Sequence, residues 1–314
     1  MSGETAYRAA DVPVPGGDLR VGVWGPDDAG TPSVLAIHGV TASHRAWGLV
    51  AAALPGIRVI APDLRGRGRS NKLPGPYGMP VHADDQAAVL EHFGTGPVVV
   101  VGHSMGAFVA LVLAHRHPGL VRSLLLVDGG LPLVVPPGLE DGEILTAVLG
   151  PAARRLGMEF ESVEVYRDYW RSHPAFADGW GALVEDYVDY DLEGTAPRLR
   201  PSTRYAALAE DTAELHRGPS LTAALDGLAH PATLLRSPRG LMGEEPGLFA
   251  AEYVAEWQDR LPALRSREVA GTNHYTIIMD EPGAGHVAAE ARSMLSAAGS
   301  PPAAPNVSST QGGH

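Results

Sequence analysis

Ser104 sits in Gly102-His-Ser-Met-Gly106, directly after the β-branched run 98–101 and directly before an apolar helical pattern from Ala107 to His117. A serine on a tight strand-to-helix turn has its oxygen lifted clear of its neighbours. Glycine two positions to either side removes the side chains that would collide as the chain turns. The N–H of Met105 then points into the same space, at the positive end of the following helix. The chemistry implied is attack by Ser104 on a carbonyl, with the Met105 N–H receiving the oxyanion.

A serine hydroxyl is a weak nucleophile near neutral pH, so it needs a base, and the base needs an orienting acid. Among 13 histidines, His274 stands apart. It lies in Gly271-Thr-Asn-His-Tyr-Thr276, just past the last predicted strand, where a loop can return to the serine. Asp128 ends the strand after the nucleophile helix and is the favoured acid. Glu245, and behind it Glu244, are the alternatives in the loop Pro238-Arg-Gly-Leu-Met-Gly-Glu-Glu-Pro246. A tetrahedral oxyanion needs a second donor, and His38-Gly39-Val40-Thr41, ending an earlier strand, offers the Val40 N–H.

Composition narrows the remaining choices. The chain has 314 residues and a formal net charge of −12, which argues against nucleic acid or an anionic membrane as partner. It has no cysteine, which removes thiol nucleophiles, disulfides and Cys-ligated zinc. Lys72 is the single lysine and lies outside any phosphate-loop frame. There is no basic N-terminal region followed by an apolar run and no apolar stretch near the roughly 20 residues that span a bilayer. The expectation is a cytoplasmic enzyme that needs no metal or organic cofactor, acts on a small molecule, and leaves homo-oligomerisation open.

The elements that must position these residues alternate. A hairpin is predicted over 10–24, strands at Val34–Ile37, Arg58–Ala61, Val98–Val101 and Ser123–Val127, and helices near 45–54 and 80–93. Continuous apolar strands between helices imply a parallel sheet covered on both faces. Residues 1–130 read as the first part of this α/β core. From 131 to 230 the patterns are helical without alternation, and this segment holds 9 of the 19 aromatic residues. It reads as an inserted helical cap whose Tyr166, Tyr169, Trp170, Trp180 and Tyr187, together with His103, could line an apolar substrate pocket. Alternation resumes over 231–298, with a strand at Thr233–Arg236, a helix at 249–261, a strand at Arg267–Val269 and a helix near 284–297. Residues 299–314 read as a disordered tail. Arg65, Arg67 and Arg69, interleaved with glycines, read as a tight structural turn.

Taken together, the strand ending in His38-Gly39, the stretch Asp63-Leu-Arg-Gly-Arg-Gly-Arg-Ser70, Gly102-His-Ser-Met-Gly106 and the late His274 resemble the α/β-hydrolase superfamily over about residues 10–130 and 230–298. The resemblance implies a mostly parallel eight-stranded sheet, a cap between strands six and seven, and hydrolysis of a carboxylic ester or lactone through an acyl-enzyme. In many relatives the acid follows the strand after the cap, but here that window, Ser237-Pro-Arg-Gly-Leu241, contains no carboxylate. An acid after strand six instead resembles the arrangement in haloalkane dehalogenases and zearalenone-type lactonases. Dehalogenases and epoxide hydrolases of this fold use an aspartate nucleophile, which Ser104 does not match. Hydrolysis of a C–C bond in a diketone, and a non-catalytic small-molecule-binding protein of the same fold, are the alternative readings.

Overall fold

The computed structural model describes residues 6–135, 138, 152–177 and 179–297, so the expected tail lies outside the described residues. Eight strands form one sheet: β1 (Tyr7–Val14), β2 (Gly17–Trp24), β3 (Ser33–Ile37), β4 (Arg58–Pro62), β5 (Val98–His103), β6 (Val121–Val127), β9 (Ala232–Arg236) and β10 (Leu264–Glu268). Their spatial order is β1-β2-β4-β3-β5-β6-β9-β10. β2 runs antiparallel to both its neighbours, and the other pairings are parallel.

The valine run of β5 shows why this sheet forms. Side chains alternate across a strand; Val98 and Val100 enter one buried cluster, while Val99 and Val101 enter the other. A strand apolar on both sides is stable only where helices cover both faces. The helix Met105–Arg116 is itself buried almost all round, from Met105 to Ala114, as a helix apolar on every side must be.

Strand order reverses between β3 and β5, so the chain leaves their carboxyl ends in opposite directions and a crevice opens between them. His38-Gly39, Ser104, Asp128, Ser237 and His274 all follow the carboxyl ends of sheet strands.

Between β6 and β9 the chain builds the helices Val163–Arg171, Ala182–Tyr190, Tyr205–Arg217 and Pro219–Asp226. A two-stranded antiparallel hairpin, β7 (Leu192–Thr195) with β8 (Arg198–Pro201), interrupts the expected helical pattern. Four-residue strands separated by a short turn carry too little periodicity to register in the sequence. The last sheet strand also starts earlier than predicted, at Leu264 rather than Arg267.

Candidate active site

Ser104 adopts φ 53° and ψ −125°, and its N–H donates to Val127 O at 2.9 Å. That conformation costs a residue with a Cβ about 1–3 kcal/mol, and the packing around it leaves no other path. A Cβ on Gly102 would stand 2.3 Å from Gly106 O, one on Gly106 2.0 Å from Ile37 O, and one on Gly129 2.2 Å from Ser104 O. The strand, the turn 102–106 and the loop after β6 therefore close on Ser104 through backbone-to-backbone approach that only glycine permits.

Asp128 is the other non-glycine residue with positive φ among those described, at 45°. It is fully buried, and its N–H donates to Leu235 O at 2.7 Å. Oδ2 lies 2.7 Å from His274 Nδ1, and Oδ1 accepts the Ser237 N–H at 2.9 Å. A carboxylate on Nδ1 fixes the ring so that Nε2 is the nitrogen left for a partner. The His274 loop is pinned from several sides. His103 Nε2–H donates to His274 O at 2.8 Å, Ser237 Oγ donates to Asn273 O at 3.0 Å, and Asn273 Nδ2 reaches Ala175 O, in the segment between β6 and β9, at 2.8 Å.

The turn 39–42 follows β3. His38 Nε2 accepts the Leu64 N–H at 2.9 Å, so Nδ1 carries the proton and donates to Gly39 O at 2.8 Å. Because the peptide is planar and trans, holding the Gly39 carbonyl on that side aims the Val40 N–H the opposite way. Gly39 lies against Ser104, where a Cβ would be 3.1 Å from Ser104 Cβ.

Burial pushes His38 down from 6.5 to about 4. Burial and the adjacent His274 push His103 down as well. An unfolded chain protonates these rings near 6.5, so between about pH 4 and 6.5 it binds protons that the folded state does not. Stability is full above that window and falls as pH drops through it. Lowering pH from 7 to 5 should cost about 2 kcal/mol through His38 alone, read as a lower urea midpoint. His38→Gln should shallow that slope, and equal urea midpoints at pH 7 and pH 5 in the wild type would contradict the assignment.

Ser104, His103, His274, Gly39, Val40 and Tyr187 wall one cavity of about 30 Å³, joined by Tyr275, Leu241 and Met279. Of the pocket residues expected from sequence, His103 and Tyr187 reach this wall, whereas Tyr166, Tyr169, Trp170 and Trp180 do not line it. The helix Val163–Arg171 turns Tyr166 and Trp170 inward against Phe160 and Phe176, and the Tyr166 hydroxyl is taken by Arg155 and Asp191. Trp180 faces an outer groove, with Nε1–H on Glu185 at 2.8 Å. Glu244 and Glu245 are exposed in their loop, and Glu244 accepts the Met242 N–H rather than meeting His274. Ser237, Asn273 and Tyr275 were not singled out by sequence; the carboxylate-free window at 237–241 was the available signal for Ser237. Arg65 lies in the structural turn, making a two-point contact with buried Asp85. Among the described residues, no group of three or more His, Cys, Asp or Glu is placed to hold a metal ion.

Comparison with known proteins bears on this geometry. The family model described as alpha/beta hydrolase fold matches residues 32–225. Lipase LipV of Mycobacterium tuberculosis is 43% identical over 132 residues, covering 42% of this chain and 48% of that protein. The match thus spans about half the length of that relative, and 29% of three further mycobacterial proteins. The 3-hydroxybutyrate-oligomer hydrolase of Cupriavidus necator is 37% identical over 279 residues, covering 82% of this chain and 87% of that one. Among solved structures, the thioesterase domain from the curacin biosynthetic pathway superposes with a TM-score of 0.72 at 23% identity, over 92% of this chain and 99% of that one, which speaks to fold alone. With its sheet order, its family match over more than half its length and a relative aligned along most of both chains, this protein belongs to the alpha/beta hydrolase family.

Proposed function

We propose that this chain is a serine hydrolase that cleaves a carboxylic ester or lactone through an acyl-enzyme on Ser104. The observation that carries the reading is the Asp128–His274 contact of 2.7 Å at the wall of the cavity that Ser104 also lines. In this reading His274 Nε2 takes the Ser104 proton as Oγ attacks the carbonyl carbon, and Asp128 stabilises the imidazolium that forms. The oxyanion is received by the N–H groups of Met105 and Val40. His274 returns the proton to the leaving alcohol, and water activated by the same ring then releases the acid and frees Ser104.

The choice of an ester draws support from the relatives' names. A lipase cleaves esters, and a 3-hydroxybutyrate oligomer is held together by ester bonds. The cavity wall of Ala42, Ala46, Ile278 and Met279 offers apolar contact to an acyl chain.

A panel of short and long acyl esters, aryl esters, small lactones, a 3-hydroxybutyrate oligomer and a vinylogous diketone, read by mass spectrometry, tests the proposal. Turnover of an ester or lactone class that is lost in Ser104→Ala supports it. Turnover confined to the diketone would replace it with C–C hydrolysis, and binding without turnover would favour a receptor of this fold.

A further inference from the structure

The turn 39–42 presents three successive carbonyl oxygens to the protein interior, and each is taken by a buried side chain. Gly39 O accepts from His38 Nδ1 at 2.8 Å, Val40 O from Arg67 Nε at 2.6 Å, and Thr41 O from Arg155 Nη2 at 3.4 Å. Arg67 is fully buried, and its Nη2 also lies 3.8 Å from Met105 Sδ. One guanidinium therefore touches both residues whose N–H groups are assigned to the oxyanion.

Neither arginine is held by the sheet core alone. Arg67 Nη2 pairs with Asp211 Oδ2 at 2.5 Å, on the cap helix Tyr205–Arg217. Asp211 Oδ1 takes the Gly78 N–H at 2.6 Å and also faces His82 Nε2 at 3.1 Å. Burial disfavours the Asp211 anion, but His82 and Arg67 hold its carboxyl down at about 2. Arg155 bonds to Asp191 and Tyr166, and Asp191 Oδ1 accepts from Ser202 Oγ at 3.0 Å. Both carboxylates belong to the segment inserted between β6 and β9.

Resting on the serine-hydrolase reading, we propose that Asp211 and Asp191 of the cap, acting through Arg67 and Arg155, are positioning residues that hold the oxyanion turn in its donating orientation. A buried ion pair gains little over an apolar pair of the same volume, because desolvation consumes most of the Coulomb energy. What the arginines supply that an apolar side chain cannot is a fixed donor for a carbonyl. A Val40 carbonyl released from Arg67 can rotate toward the cavity, where its negative end would oppose the oxyanion, and the change in the Val40 backbone would carry the adjoining Val40 N–H off its aim. A displacement of about 1 Å in such a site costs on the order of 100-fold in rate.

Arg67→Lys keeps a cation for Asp211 but loses the planar fork that serves Val40 O and Asp211 together. It is expected to lower kcat on an ester by about 30- to 100-fold with KM within about threefold. The Ki of an alkyl boronic acid, which forms a tetrahedral adduct on Ser104, should weaken by the same factor, and so should the second-order rate of fluorophosphonate labelling. Asp211→Asn and Arg155→Lys should act in the same direction by about 10-fold, and they decide the matter if Arg67→Lys does not fold. Arg116→Gln, in an exposed pair with Asp84, is the control and should match wild type. Folded variants with wild-type kcat, boronate affinity and labelling rate would overturn the proposal, as would a loss confined to KM. A wild type that fluorophosphonate does not label would instead overturn the serine-hydrolase reading itself, so the two failures are told apart.

Discussion

Ser104→Ala is expected to lower kcat on the best ester of the panel by about 10⁶-fold, the scale seen when a hydrolase loses its nucleophile. The loss follows from chemistry rather than folding. Alanine has the same Cβ as serine, and Ser104 already holds φ 53°, so the substitution adds no new backbone strain. The Ser104 N–H bond to Val127 O and the approach of Gly102, Gly106 and Gly129 do not involve the hydroxyl. The thermal midpoint should therefore stay within a few degrees of wild type while fluorophosphonate labelling disappears. A folded variant retaining more than about a tenth of the wild-type rate would remove Ser104 from the mechanism.

Asp128→Asn should cost about 10⁴-fold in kcat, with little change in KM. The introduced asparagine would keep its amide oxygen toward the Ser237 N–H, which Asp128 Oδ1 now accepts at 2.9 Å. That orientation turns the amide NH₂ toward His274 Nδ1, which must then become the acceptor. The ring proton moves to Nε2, and the base can no longer take the proton of Ser104. Glu244→Gln and Glu245→Gln should leave kcat within about twofold, since both side chains are exposed in their own loop. A large loss in either glutamine variant, with Asp128→Asn active, would transfer the acid to that loop.

The parts of the site visible in the sequence are those set by backbone constraint. Gly-X-Ser-X-Gly between an apolar run and an apolar helix admits few other conformations, and a window after β9 without a carboxylate directed attention to Asp128. The aromatic residues between β6 and β9 are less readable. Tyr166 and Trp170 have the helical spacing of a ligand-facing stripe, but the same spacing serves a stripe facing its own core, and they pack there against Phe160, Phe176 and Arg155. Long-range polar pairing was invisible for a different reason. Arg67 and Asp211 lie 144 positions apart, and the glycines around Arg67 suggested only a turn. The hairpin β7–β8 escaped because its strands are too short to show a period.

Under the proposed mechanism the acid is carried by the short link directly after β6, while β9 and the residue after it supply uncharged support: Leu235 O, the Ser237 N–H and the Ser237 hydroxyl. The loop that follows, including the cavity-facing Leu241, carries no acid, but its start is tied to the His274 segment: Gly240 O accepts the His274 N–H at 3.4 Å and Arg239 bridges to Asn273. The Leu241 side chain can be altered to admit different acyl groups while the charge on His274 stays governed by Asp128. In this reading the residue that sets reactivity and the residue that sets taste lie on different loops, and substrate range is expected to be remodelled at Leu241 without rebuilding the machinery that breaks the bond.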